Sequence, residues 1–435
     1  REVLHSLTEG WPAGMRLAAL SLEHDDPATF VAQFSGADRP VADYLAGEVL
    51  ERLPDDVVDF MLKTSVVEDL SVDLAARLSG RDDSAAMLDN LARRNALVVP
   101  LDRSGTWFRY HALLRSYLAA ALQRRDLGEV ARLRVIAAQW FLEQRNPARA
   151  LALASEAGDS DLVEQVLLAH GLGLTLAGAG RCVRRAIDLL PPSQDGSPTV
   201  LVHRALLAVD EGDLGAADEA LAALTAVPDD GSDRRMTSLR KAVALHRARR
   251  AADLAVAHAS DSVEDPGPYR LTADLDPDVR LLMLADRGAL RLFAGGHQRA
   301  REDLLKAIRL AEAAGLHSIE LHCRNLVAGT HVADDDFLQA RVAAENAIAF
   351  AGVRGWDRTP NLAYSYMMAG WAAFQVLRPE EASTWAAISL DVIATTIDVD
   401  VEGAARTGEA IIAFDDPPQR RSALERLERT TAWLN

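Results

Sequence analysis

Cysteine is nearly absent from these 435 residues: Cys182 and Cys323 are the only two. Two thiols cannot build a disulfide scaffold or a four-thiolate zinc site, which leaves reduced, partly buried thiols of a cytosolic protein as the expectation. Long apolar runs are missing as well. No stretch of about 18 uncharged apolar residues occurs, so no spanning helix is encoded, and no secretory hydrophobic segment opens the chain. Basic charge is in deficit, with 47 Lys and Arg against 64 Asp and Glu, a net charge of −17. Affinity for a nucleic-acid backbone rests on cations that displace counterions, so direct nucleic-acid contact by this chain is not expected. What is plentiful is apolar residues, 49% of the chain, enough for more than one core. Residue 1 is Arg, not Met, and the chain is expected to be a piece of a longer protein.

Strand signals occur in one place. Leu97-Val98-Val99-Pro100-Leu101 is apolar and β-branched, Arg103-Ser104-Gly105 is a turn signal, and Thr106-Trp107-Phe108-Arg109-Tyr110 is an aromatic return strand. Three short helical segments precede this hairpin. The first starts near Pro54, with Asp55 and Asp56 in its first turn and Val57, Phe60, Met61 and Thr64 at helical spacing. The second covers roughly 72–78. The third starts at the N-cap signal Asp83-Ser84 and carries Ala86, Met87 and Leu91. A further helix is expected over 111–123. Three helices, a hairpin and a helix spell a winged-helix module, placed at 53–128.

From 129 to 435 the pattern becomes helix, short turn, helix, repeated. Small residues recur at offsets of 12, 4 and 3: Ala138, Ala150, Ala154 and Ala157; then Gly288, Ala300, Leu304 and Ala307. The sets beginning at Ala205, Ala328 and Gly370 keep the same spacing, and weaker copies begin at Gly171 and Val243. This is the tetratricopeptide (TPR) offset pattern. A small residue on the first helix of a pair lets the second approach closely. Tight turns precede the second helices at Glu211-Gly212-Asp213, Ala294-Gly295-Gly296 and Leu377-Arg378-Pro379. The fold class is therefore mainly α: a winged-helix module with one β-hairpin, followed by a TPR-like α-solenoid of stacked helical hairpins. Polar loops interrupt the array, the longest being Asp261–Pro277.

Leu7-Thr8-Glu9-Gly10-Trp11-Pro12-Ala13-Gly14-Met15-Arg16-Leu17-Ala18 resembles a stretch of the MalT-like, LuxR-type ATP-dependent transcription regulators. Val41-Ala42-Asp43-Tyr44-Leu45, Thr64-Ser65-Val66, Arg109-Tyr110-His111-Ala112-Leu113-Leu114, Trp140-Phe141 and Asn146-Pro147-Ala148-Arg149-Ala150 follow in the same order. The resemblance is specific over residues 1–160 and architectural beyond. It implies a modular signal-transduction ATPase with numerous domains (STAND): a P-loop domain that binds ATP or ADP, a winged helix folded back on the nucleotide, a helical sensor and a DNA-binding helix-turn-helix. ADP holds such proteins closed and monomeric; inducer with ATP opens and oligomerises them. This sequence has no G-x-x-x-x-G-K-[ST] motif, and its last residues, Leu424–Asn435, read as another repeat-like helix. Residues 1–52 then correspond to the C-terminal helical part of the ATPase module. No cofactor is expected in this chain, and ATP or ADP is expected for the parent.

The resemblance assigns nucleotide contacts to Gly10, Pro12 and His111. Pro12 would wall the adenine, and His111, directly after the second hairpin strand, would contact an ADP phosphate. By themselves these residues also read as a loop-to-helix start and as a histidine at a strand–helix junction. Arg93-Arg94 ends the third helix, where basic residues suit the helix dipole without reading DNA. Ile411-Ile412-Ala413-Phe414-Asp415-Asp416 imitates a Walker B strand but reads as the end of a repeat helix. His317 and His322 are spaced i, i+5, which does not put both on one helical face for a metal.

Aromatics make up only 5% of the chain, yet Trp356, Tyr364, Tyr366, Trp371, Phe374 and Trp385 lie within about 30 residues. Core packing is the common use of such a cluster. Trp356, Tyr366 and Trp371 are also candidates for a ligand or partner site. The expected function is regulatory: a cytoplasmic signal-sensing region that couples an inducer or protein effector, bound on the repeats, to a nucleotide-controlled switch. The alternative is a free-standing TPR-type protein-interaction scaffold. No nucleophile–base pair, metal cluster or phosphate loop points to an enzyme, and the isolated chain is expected to be a monomer.

Overall fold

The structure is a computed structural model that describes residue 15, residues 39–94, 97–228, 231, 233–251, 253, 255–256, 271–272, 274–393 and 399–434. The chain divides into two units, residues 1–163 and 164–435.

In the first unit α1 (Arg39–Tyr44) continues as a π-helical turn over Leu45–Leu50. Extended Pro54 then stops the chain from running on helically, and α2 (Asp55–Thr64) starts with Asp55 and Asp56 against its N-terminal dipole and ends with Lys63. Its apolar stripe buries Phe60 and Met61. β1 (Asp69–Ser71) leads into α3 (Val72–Ser79), whose N-cap Ser71 accepts from the Leu74 N–H at 3.1 Å and whose end turns at Gly80, φ +72°. α4 (Ser84–Arg93), β2 (Val98–Pro100), β3 (Trp107–Tyr110) and α5 (Ala112–Arg125) complete the winged helix.

The sheet corrects the expectation of a lone hairpin. It has three antiparallel strands in the order β1-β3-β2, with Leu70 opposite Phe108 and Val98 opposite Tyr110. β1 has three residues and one apolar side chain; only β3 beside it makes it a strand. The wing turn is held by Asp102, whose carboxylate accepts from the Thr106 and Trp107 N–H groups at 2.9 and 3.2 Å. Thr64 donates to the Phe60 carbonyl at 2.8 Å, so the buried Tyr110 hydroxyl, 2.6 Å away, donates to Thr64 and ties β3 to α2.

The first helical hairpin, α6 (Leu127–Glu143) with α7 (Pro147–Ala157), is part of this unit. Trp140 Nε1 donates to Asp73 at 2.5 Å, Arg149 pairs with Asp69, and the Trp107 and Trp140 rings meet edge-on at 6.0 Å. The pairing of Ala138 with Ala150 and Ala154, all fully buried, brings the two helices together as the offsets require.

In the second unit the described first helices are α8 (Ser160–Leu176, which begins in the first unit), α10 (Pro198–Glu211), α12 (Arg234–Arg250), α13 (Pro277–Phe293), α15 (His317–Ala333), α17 (Ala363–Gln375) and α19 (Val399–Phe414). Their partners are α9 (Gly180–Asp188), α11 (Leu214–Ala226), α14 (His297–Ala314), α16 (Phe337–Gly352), α18 (Pro379–Ile393) and α20 (Arg420–Leu434). The second half of the weak copy at Val243 and most of the 261–277 loop lie outside the described residues.

The hairpins α6–α7, α10–α11, α13–α14, α15–α16, α17–α18 and α19–α20 pack internally, and the first helices from α10 to α19 also pack in succession as a layer. The small residues sit at the closest approaches. A Cβ on Gly288 would lie 2.8 Å from Leu304 Cγ, and one on Gly370 would lie 3.2 Å from the Ala382 carbonyl oxygen. Gly171 is different. A Cβ there would strike the His203 ring on α10, so its smallness serves the next hairpin, not its own. Gly295 takes φ +89° and Leu377 φ +59° in the turns before second helices. Ile411–Phe414 lies in α19, as a helix end and not a strand.

Candidate functional site

His111 follows β3 and is the N-cap of α5. Its backbone N–H donates to the Leu97 carbonyl at 2.7 Å, and its Nδ1 accepts from the Leu113 N–H at 3.3 Å. Accepting at Nδ1 puts the ring proton on Nε2, the nitrogen able to donate to an oxyanion. The side chain is only 6% exposed, so the cap and the β3–α5 junction fix its direction. Gly10 and Pro12 lie outside the described residues. Arg93 ends α4, ahead of the wing, in an ion pair with Asp89 at 2.5 Å.

The late aromatics separate. Tyr366 is buried, stacks on Trp385 at 5.7 Å and donates to the Asp357 carbonyl at 2.8 Å. Trp356, Tyr364, Phe374 and Trp385 pack on the same core. Trp371 is half-buried and lies against Phe374 at 5.7 Å. Tyr366 thus sits in the core, its hydroxyl holding the connector between α16 and α17. Buried Asn325 does the same from α15. It donates to the Asn361 carbonyl at 2.5 Å and accepts from the Ser365 hydroxyl at 2.7 Å.

That connector walls a cavity of about 430 Å³ in the layer of first helices. Thr175 and Leu176 come from α8, Asp210 from α10, and His246, Arg249 and Arg250 from α12. Leu282, Ala285 and Asp286 come from α13, Ser318, Ile319 and His322 from α15, and Thr359-Pro360-Asn361 from the connector. Five successive first helices therefore contribute.

A buried ionic cluster organises its floor. His246 Nδ1 is 3.0 Å from both Asp286 oxygens, and its Nε2 is 3.1 Å from Asp210 Oδ1. A ring bonded to carboxylates through both nitrogens donates from both, so it is an imidazolium. Arg249 Nε lies 2.9 Å from Asp286 Oδ1. Burial opposes charging of His246, but the Asp286 and Asp210 carboxylates outweigh it and hold the ring up to about 9. Burial likewise works against ionised Asp286, and His246 with Arg249 brings its carboxyl below the usual value. His203 on α10 has no such partner; burial pushes it down to about 4.

These residues were not singled out by sequence reasoning. His246 and Asp286 are separated by 40 positions and sit on different helices. The one available signal was a charged residue at an inward helical position of each.

A winged helix followed by stacked TPR-type hairpins defines the fold class: a mainly α protein with a winged-helix module and a TPR-type solenoid. Along 97% of its length the chain overlays a STAND protein with a tetratricopeptide repeat sensor from Pyrococcus horikoshii, at a TM-score of 0.55, 14% identity and 68% of that chain. Residues 46–130 match the MalT winged helix domain. The HTH-type transcriptional regulator MalT of Vibrio cholerae is 32% identical over 196 residues, 44% of this chain and 22% of that protein. The Klebsiella pneumoniae MalT is 29% identical over 168 residues, 38% of this chain and 19% of that protein. The serine/threonine-protein kinase PknK of Mycobacterium tuberculosis is 34% identical over 169 residues, 38% of this chain and 15% of that protein. This chain is thus similar in part to MalT regulators and to PknK, and it spans about a fifth or less of the length of these curated relatives. Among the described residues no helix is long and apolar enough to cross a membrane, and no group of three or more His, Cys, Asp and Glu is placed to hold a metal.

Proposed function

We propose that this chain senses a signal on its helical repeats and passes it, through the winged helix, to a nucleotide-controlled switch in a MalT-like cytoplasmic transcriptional regulator. The observation that carries the reading is the MalT winged helix at 46–130 running directly into TPR-type hairpins. The Trp140–Asp73 and Arg149–Asp69 contacts fix the α6–α7 hairpin, the first of the repeats, to the winged helix. In this reading His111 donates from Nε2 to a phosphate of ADP, Pro12 walls the adenine and Gly10 lets the backbone approach it closely. The chain itself does no chemistry and runs as a monomer; ATP and ADP belong to the parent.

The test is nucleotide release from the parent protein. His111→Ala is expected to speed ADP dissociation about tenfold, equivalent to one charge-assisted hydrogen bond of about 1.4 kcal/mol. An unchanged ADP off-rate removes His111 from the switch. The kinase relative favours a second reading, in which the same sensor region serves an output other than transcription. The coding sequence downstream of Asn435 separates the two: a helix-turn-helix supports the regulator, and its absence supports the other output.

A further inference from the structure

We propose that the cavity between α18, α19 and α20 binds a small anion through a phosphate or carboxylate group. Such a site goes beyond the sensor reading, since it holds whichever output the repeats serve.

The sequence sets two charged rows. Glu402, Arg406 and Glu409 lie at i, i+4 and i+7 on one face of α19, and Arg426 and Arg429 lie at i and i+3 on the face of α20 that meets it. A cavity of about 310 Å³ lies between the rows, with Leu390 of α18 as its apolar wall. Each carboxylate in it has its own arginine. Arg426 grips Glu409 through Nε and Nη2 at 3.0 and 3.1 Å, and Arg406 reaches Glu402 Oε1 through the same two nitrogens, both at 2.7 Å. Arg429 is the third cation. Its Nε donates to the Glu425 carbonyl at 3.2 Å, while the Glu425 carboxylate pairs with Arg421. Among the described residues no carboxylate pairs with Arg429. Three guanidinium groups against two carboxylates leave one positive charge on the lining, in a chain whose net charge is −17. A positive spot in an acidic molecule concentrates anions locally while the remainder of the surface repels them.

Exposure places the cations outermost. Glu402 is 22% exposed and its partner Arg406 50%; Glu409 is 20% exposed and Arg426 31%. The carboxylates are thus spent beneath the guanidinium groups, and an incoming ligand meets N–H first. Arg406 Nη1 and both terminal nitrogens of Arg429 make no bond to the described protein. Two terminal nitrogens on one planar guanidinium match two oxygens of a carboxylate or phosphate, which is the geometry that suits arginine to these groups. The volume stands at the lower end of the range of about 300–1,000 Å³ typical of small-molecule sites. A ligand held there touches α18 as well as α19 and α20, so it links two successive hairpins and stabilises their stacking by its binding.

The experiment titrates the 435-residue chain with inorganic phosphate and, separately, with citrate at constant ionic strength, reading calorimetric Kd and melting temperature. Binding of at least one anion is expected, with a rise in melting temperature, and the tighter of the two identifies the group. Arg429→Gln is expected to weaken that Kd about tenfold, the loss of one charge-assisted contact. Arg429 is exposed, so without anion the variant is expected to keep the circular dichroism and melting temperature of the parent chain. Arg421→Gln removes an equal charge from the same helix outside the cavity, and is expected to leave Kd unchanged. Absence of binding by both anions overturns the proposal. So does a Kd that Arg429→Gln leaves unchanged, or that Arg421→Gln weakens as much. Failure of the sensor reading shows separately, as ADP exchange in the parent that no effector alters.

Discussion

Two buried histidines set opposite limits on stability. In the unfolded chain both rings titrate near 6.5; in the fold His246 is held up to about 9 and His203 down to about 4. A raised group stabilises fully below its unfolded value and loses that contribution as pH climbs through its folded value. The contribution of His246 is therefore complete below about 6.5 and fades toward 9. A depressed histidine does the reverse: His203 contributes fully above about 6.5 and fades toward 4. Urea midpoints measured across pH are expected to peak near neutrality. His246→Gln should flatten the alkaline side, and His203→Asn, which keeps a donor for the Thr199 carbonyl, the acid side. A profile untouched by either variant contradicts the assignment. Neither residue stood out in the sequence, because the carboxylates around His246 lie on other helices and the Gly171 surface that receives the His203 ring lies on α8, and one-dimensional spacing shows neither. His111 was legible, since the end of the hairpin strand marked where it would stand.

At the scale of elements the hairpins follow from residue size. Gly288, Ala328 and Gly370 are each followed at the expected offset by buried alanine, and close packing of each pair results. Gly370→Val would push a branched side chain into the Ala382 carbonyl and Trp385, and is expected to cost about 1–3 kcal/mol. A thermal melt within error of the parent chain would show that the pair relaxes without loss. The same offsets misread Gly171, where the vacancy is filled by His203. β1 escaped notice for a related reason: Asp69-Leu70-Ser71 has no strand pattern of its own, and its backbone is extended because β3 offers a ladder. The aromatic cluster was visible as composition, but its role was decided by packing. Tyr366 and Trp385 stack in the core, and the connector they hold is what reaches the cavity.

On the scale of the whole molecule, a stack of hairpins holds together through neighbours alone, so disturbance should stay local. In Gly370→Val, amide exchange is expected to quicken in α15 through α18 and to remain unchanged in α10 and α11. Uniform quickening along both units would mean a single cooperative body and would contradict nearest-neighbour stacking. The boundary between units also differs from the change in sequence pattern. The pattern turns repetitive at 129, whereas the contacts keep α6 and α7 with the winged helix up to Val163.

The sequence alone determined the winged helix, the repeating hairpins and the acidic, span-free character of the chain, because these depend on local periodicity, residue size and net charge. Only the tertiary structure decided which charged residues meet. His246, Asp286, Asp210 and Arg249 converge because successive first helices pack side by side, and burial among them gives ordinary surface residue types a common ionic site.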